Sequence, residues 1–267
     1  MKYNIIAGLF IFLFLACNPD FNTNQKDMRY QSSKKGLKSN KKKLKPNSET
    51  TPNQEAPSNQ KEDDVKKTKN TLIDDLRNLI EKAHSDNEKY KKKVDTVETQ
   101  YGMLEAFKIL IWDYSSSEKL CENTERSRRY RRRIYSILNT INDNELKNFS
   151  EIIEKSGHLQ GIFNDLSTFG EIFDHTIDFL YPKKDTLEKL EIPNLEKLKN
   201  LFEQLLSTKT TVSEMMYKLL LDYQNDENDI KKDINKLKSH ISELYNQTSK
   251  KRIEAKKLEN DIYSMYQ

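Results

Sequence analysis

Cysteine, glycine and proline are scarce here: two, six and six among 267 residues. Two cysteines, one of them within the first twenty residues, leave no room for a disulfide framework inside the chain, so a folded body has to be held by packing. Only Gly157, Gly161 and Gly170 follow Gly102, which excludes a phosphate-cradling glycine loop. No HExxH, CxxC or GxSxG element occurs. The four histidines, His84, His158, His175 and His240, show no pair at metal-ligand spacing. His158 and His175 come together only if the fold brings them there. Acidic residues are abundant, but each lies among lysines in the pattern of a solvated helical face. No catalytic residue, metal ligand or cofactor is singled out, and an enzyme is not expected. Strand-like alternation is absent as well.

What is present begins at the N-terminus. Lys2 precedes an apolar run from Ile5 to Leu15, followed by Ala16 and Cys17. One early positive charge, a short apolar stretch and a small residue at the cut make a secretory signal. The run is shorter than the roughly 20 apolar residues a bilayer span needs. A cysteine directly after Leu15-Ala16 is a lipobox, so cleavage before Cys17 and lipid on its thiol are expected. Several acyl chains there make a stable membrane anchor.

Residues 18–69 are rich in Asn, Gln, Ser and Lys, carry four of the six prolines and have few apolar side chains. Such a segment cannot bury enough surface to fold and reads as a disordered tether, about 40 Å in root-mean-square span. Lys26 to Lys45 holds nine basic residues against Asp27 alone. This stretch suits an anionic lipid surface or a polyanionic glycan, or is simply a self-repelling linker. Residues 18–70 have 13 basic and 7 acidic side chains, a balance of +6, whereas residues 71–267 have 32 and 35, a balance of −3. The basic excess belongs to the tether, which removes the compositional support for nucleic-acid binding.

From Asn70 the apolar spacing is helical, predicting an all-α bundle of six to seven helices over residues 70–267. Leu72, Ile73, Leu76, Leu79, Ile80 and Ala83 share one face. Val94, Val97, Tyr101, Leu104 and Ile111 continue it as the same helix or a second. Tyr130, Ile134, Ile137, Leu138 and Ile141 mark the next. Asn142 and Glu145 resemble a capping box before Leu146, Phe149, Ile152 and Ile153, and Gly157 ends that helix. Leu159, Ile162, Phe163, Leu166, Phe169, Ile172, Phe173, Ile177 and Leu180 form the broadest apolar face and the best core candidate. Pro182 closes this helix and Pro193 opens the next. Cys121 reads as a half-buried apolar residue, with intermolecular pairing as the alternative.

Two features invite partners. From Ile230, steps of four and three reach Ile234, Leu237, Ile241, Leu244, Thr248, Lys251, Ala255, Leu258, Ile262 and Met265, a heptad seam. It packs within the bundle or pairs with a second chain, through Ile234, Leu237, Ile241, Leu244 and Tyr245. A helix of about 38 residues would be about 57 Å long, so its far end is expected to project or find a partner. The other feature is six arginines in eight residues: Arg126, Arg128, Arg129, Arg131, Arg132 and Arg133. Spared positions Tyr130, Ile134 and Ile137 make the buried stripe, with the arginines over the rest. Glu122 and Glu125 stand four residues before Arg126 and Arg129, in the favourable order for helical ion pairs. The cluster is either a docking patch for carboxylate, sulfate or phosphate groups, or a solvated face bridged to acids on neighbouring helices.

The order of these elements resembles the plasmid-encoded outer-surface lipoproteins of Lyme-disease spirochaetes (Borrelia). The closer likeness is to the virulent-strain-associated, complement regulator-acquiring group. The stretches that carry it are Leu104-Glu105-Ala106-Phe107-Lys108, Arg133 to Leu138, Leu146 to Ile153, and Leu219-Leu220-Leu221-Asp222-Tyr223-Gln224-Asn225-Asp226. The lipobox and the Lys/Asn/Pro-rich tether match too. The resemblance implies about seven helices with a long C-terminal one, which builds a homodimer in the factor H-binding relative. It also implies a lipid anchor in the outer membrane, exposure at the cell surface, and binding of a host serum or tissue protein. Complement evasion, through factor H or another complement component, is the expected role. The alternative is an adhesin that holds glycosaminoglycan, plasminogen or a host or vector tissue protein. The chain departs from the factor H-binding relative in running on through Lys250 to Gln267 and in its arginine cluster.

Overall fold

The structure, a computed structural model, describes residues 59–95, 100–112 and 118–266. Cys17, the apolar leader and the basic stretch of the tether lie outside the described residues, which all belong to the unit Glu55–Gln267. Seven α-helices are described: α1 Asn59–Asp95, α2 Leu104–Ile109, α3 Glu125–Ile137, α4 Leu146–Ser156, α5 Leu159–Leu180, α6 Ile192–Gln224 and α7 Ile234–Ser264. The described residues contain no strand, only a one-pair bridge between Ile111 and Lys119, and none of their helices is long and apolar enough to cross a membrane.

Helix α1 starts inside the segment whose composition reads as tether, and residues 63–68 of it are exposed. Its core face begins at Ile73 and continues through Leu76, Ile80 and Ala83. Val97 and the side chain of Val94 lie outside what the structure describes, and from Gln100 the stripe follows a different register. The 3-10 turn Gln100–Gly102 takes left-handed backbone angles at all three residues. That turn resets the helical phase, so Met103, Ala106, Phe107 and Leu110 are buried, while Leu104 and Ile111 are only half-buried. The capping box before α4 is not reciprocal either. Asn142 Oδ1 accepts from the Asn144 amide at 3.1 Å, and its Nδ2 donates to Glu145. Gly157 does end α4, with φ of 77°. The break between α6 and α7 uses neither glycine nor proline. Asp226, Asn228 and Asp229 take left-handed angles instead, a region these short polar side chains tolerate better than most. Asp233 then caps α7, accepting from the amides of Asn235 and Lys236.

Helix α5 is the centre of the bundle, and all nine residues of its expected apolar face are buried. It touches α1, α3, α4 and α7. Two segments of identical form, Gly161-Ile-Phe-Asn-Asp165 and Gly170-Glu-Ile-Phe-Asp174, lie nine residues apart. At 100° per residue they face opposite sides of the helix. On one side a Cβ at Gly170 would stand 2.7–2.9 Å from the Cβ, carbonyl oxygen and Cα of Arg133, so glycine is what lets α3 cross this closely. On the other side Gly161 faces the ring of Tyr245, with 3.4 Å between a would-be Cβ and the ring edge.

Helix α7 runs parallel to α5 in a constant register. His158 meets Ser242, Gly161 meets Tyr245, Asp165 meets Ser249, His175 meets Glu259 and Phe179 meets Tyr263, each pair offset by 84 residues. An offset that holds along the whole of α5 is the signature of two helices packed at a small angle with matching period. Helix α6 completes the sheath on the other flank of α7. The end of α7 therefore does not project: Phe179 lies 4.5 Å from the Tyr263 ring and 5.4 Å from that of Tyr266. The physical reason is that residues 250–266 find the second half of α5 as their partner.

The crossing at Gly170 yields a sharp expectation. Gly170→Ala should lower unfolding free energy by about 1–3 kcal/mol, because backbone rather than a mobile side-chain tip must give way. Gly161→Ala, nine residues earlier in the same helix, should change it by less than about 1 kcal/mol, since helix propensity offsets a mild ring contact. Urea denaturation followed by circular dichroism checks both. A Gly170→Ala protein as stable as the parent contradicts the close crossing.

Candidate functional site

The arginine cluster is the feature that the sequence puts forward, and the fold divides it in two. Thr124 caps α3 by accepting from the Ser127 amide at 3.3 Å, which fixes the phase of the arginines that follow. Arg131 is then carried into the core. It is 3% exposed and donates to the carbonyls of Leu120 and Glu122, the latter at 2.9 Å. Here the expected surface position is corrected: Arg131 shares the face of Ser127 and Ile134, four and three residues away, so it belongs to the buried stripe. Arg132 and Arg133 turn toward α5. Arg132 lies 2.8 Å from the buried carboxylate of Asp174, and Arg133 meets Asp174 at 3.3 Å and Glu171 at 2.9 Å.

Arg126, Arg128 and Arg129 remain at the surface, around two glutamates. Arg128 and Arg129 reach Glu125 at 3.0 and 3.3 Å. Arg126 donates from Nε to Glu118 at 2.7 Å and stacks 5.0 Å from the Trp112 ring. The Trp112 indole N–H donates to Glu118 at 3.2 Å and to the Ser127 hydroxyl at 3.1 Å. Thr124 and Ser127 hydroxyls also donate to Glu118. Hydrogen bonds from Arg126 first and Thr124 next hold the Glu118 carboxyl down to about 2. The result is a clasp of Trp112, Glu118 and Arg126 beside an outward pair, Arg128 and Arg129. Nothing in the apolar periodicity pointed to Glu118, although it is one of three glutamates, with Glu122 and Glu125, in the eight residues before the arginine run, a signal that could have found it.

The seam residues are placed differently from a free interface. Leu237, Ile241 and Leu244 are buried inside the chain, Tyr245 is half-buried over Gly161, and Ile234 alone is exposed. In this bundle most of the seam packs within the chain and leaves Ile234 exposed. Cys121 is half-buried, and its carbonyl accepts from the Gln100 side chain at 2.8 Å. His158 opens α5 and His175 lies 17 residues along it, about 25 Å away, so the fold does not join them. His158 bonds Ser242 at 3.0 Å, and His240 sits 3.5 Å from Asp222. Among the described residues no group of three His, Cys, Asp or Glu side chains is placed to hold a metal.

The clasp supplies its own probe, because Trp112 is the only tryptophan. A carboxyl whose pKa is lowered in the folded state adds stability that is complete above its unfolded value, about 4.5, and lost as pH falls toward the folded value. Trp112 emission is therefore expected to change between about pH 4.5 and 2, the window between the unfolded and folded carboxyl values. In Glu118→Gln that transition should vanish. A transition of the same size and midpoint in Glu118→Gln excludes Glu118 as its source.

Comparison with known proteins places this architecture. The structure of BSE31 from the Lyme disease agent Borrelia spielmanii is 52% identical, with a TM-score of 0.71 over 73% of this chain and 98% of BSE31. The Lyme disease associated outer surface protein BBA65 of Borrelia burgdorferi is 19% identical, with a TM-score of 0.62 over 73% of this chain and all of BBA65. The outer surface lipoprotein BBA64 of the same species is 21% identical, with a TM-score of 0.57 over 77% of this chain and all of BBA64. The last two share the fold. No curated protein matches the chain. The profile of the family described as Borrelia Bbcrasp-1 domain containing protein matches residues 88–267. The chain belongs to this family, the Lyme-disease spirochaete group its sequence resembles.

Proposed function

We propose that this protein is held at the outer surface of the spirochaete by lipid on Cys17, and that its helical body binds a host protein, foremost a complement component. The observation that carries this reading is the family match over residues 88–267, the helical body itself. Relatives with solved structures bear the names outer surface protein and outer surface lipoprotein. The leader and Cys17 supply the anchor, and residues 18–58 the span between anchor and body. We assign the protein no catalytic role.

A second reading, an adhesin for glycosaminoglycan, plasminogen or a tissue protein of host or vector, draws support from one placement. Arg126, Arg128 and Arg129 stay at the surface with planar donors that suit sulfate and carboxylate. Glu118 and Glu125 neutralise much of that charge, which weighs toward the first reading.

Immobilised lipid-free chain, residues 18–267, incubated with human serum separates the two. Retention of a complement component, with higher serum survival of a sensitive strain displaying the full-length protein, is the expected result. Retention of none, with unchanged killing, overturns the complement reading. On heparin, an adhesin acting through this patch elutes at distinctly lower salt once the three surface arginines become serine. Unchanged elution removes the patch from consideration.

A further inference from the structure

Helices α5 and α6 are bridged by α1 on one flank and leave a cavity of about 230 Å³ between them. Its apolar walls are Leu79 and Ala83 of α1, Phe173 and Ile177 of α5, and Leu206 of α6; of its two lysines, Lys82 of α1 is exposed and Lys209 of α6 is half-buried. We propose that this cavity binds a small amphiphilic carboxylate, with the charged end on the Lys209 ammonium and the apolar body against those five side chains.

The argument starts from what Lys209 lacks. The residue is half-buried, and its ammonium stands 5.5 Å from the Phe173 ring centroid. Among the described residues it has no hydrogen bond or ion pair of its own. The two carboxylates that act on it are already engaged: Asp86 accepts from Lys89 at 2.6 Å, and Asp174 is held by Arg132 and Arg133. Burial draws the Lys209 pKa below the ordinary lysine value, against the opposing pull of Asp86 and Asp174. A partly dehydrated ammonium without a counter-ion is costly, and a bound anion relieves that cost.

The walls decide which anion. A phosphate or sulfate could take donors from Lys82, Lys209, Asn139 and Thr210, but would have to shed its water against five apolar side chains that it cannot use. A monocarboxylate with an apolar body puts one charge on Lys209 and buries carbon against carbon. The cavity exceeds the roughly 150 Å³ that holds a benzene ring in a dry protein interior, so a six-carbon body with its carboxylate fits. Lys82 and Asp86 are the other titratable residues of the lining, and Asp86 repels a second negative charge, which again favours a monoanion.

Hexanoate and the uncharged hexanol are the probes, added to lipid-free chain with ¹³C-labelled lysine and followed by NMR. Hexanoate is expected to shift the Lys209 Cε signal saturably and to move its titration midpoint upward, since a bound carboxylate favours the protonated amine. Hexanol should bind at least about tenfold more weakly, and inorganic phosphate should leave the signal in place. Lys209→Met should abolish hexanoate binding while its circular dichroism melt stays cooperative. If that variant does not fold, the hexanoate–hexanol comparison on the unsubstituted chain decides alone. No saturable shift at tens of millimolar hexanoate, equal binding of hexanol, or unchanged binding to a folded Lys209→Met protein overturns the proposal.

Discussion

Two carboxylates buried on opposite faces of α5 set the positions of its neighbours. Asp165 takes the Ser249 hydroxyl and lies 3.1 Å from Arg252, both on α7, and Asp174 takes Arg132 and Arg133 from α3. A buried charge without a partner costs several kcal/mol, so neither aspartate tolerates a neighbour that slides or rotates away. Apolar contact alone would let α3 and α7 find several near-equivalent positions along α5. The ion pairs, together with the approach allowed at Gly170, select one. Half of the arginine cluster is thus committed to architecture before any partner arrives.

Much of this was legible in the sequence, and the parts that were not share a cause. The apolar stripe of α5 names its own core because nine residues repeat at helical spacing, and all nine are buried. The same periodicity treats every Asp and Arg as surface. It therefore missed Asp165, Asp174 and Arg131, although the paired Gly-x-x-x-Asp segments were in plain view. The α7 seam was legible as a seam, but a heptad repeat is indifferent to whether its partner lies in the same chain. The partner is α5, 84 residues earlier; the helix runs 31 residues, and its far end, which was expected to project or find a partner, is covered by α5. The helix break after Gln224 carried no glycine or proline, and left-handed Asp226, Asn228 and Asp229 replaced them.

For function, the consequence is a separation between fold and surface. A chain 19% identical to BBA65 keeps the same fold, so the architecture leaves wide freedom in exposed side chains. Any choice of protein partner would then rest with those side chains more than with the bundle. On this protein the outward arginines stand beside Glu118 and Glu125, and the resulting patch is of mixed sign.

The claim on which this account rests is that the α3 arginines hold α5 through Asp174, and a double-mutant cycle measures it directly. Arg133→Ala, Asp174→Ala and the double variant, each unfolded in urea, give the coupling free energy of the pair. The account predicts a coupling of about 1–3 kcal/mol, with Asp174→Ala the costlier single change because it takes a partner from two arginines at once. Additive losses, with a coupling below about 0.5 kcal/mol, would contradict it.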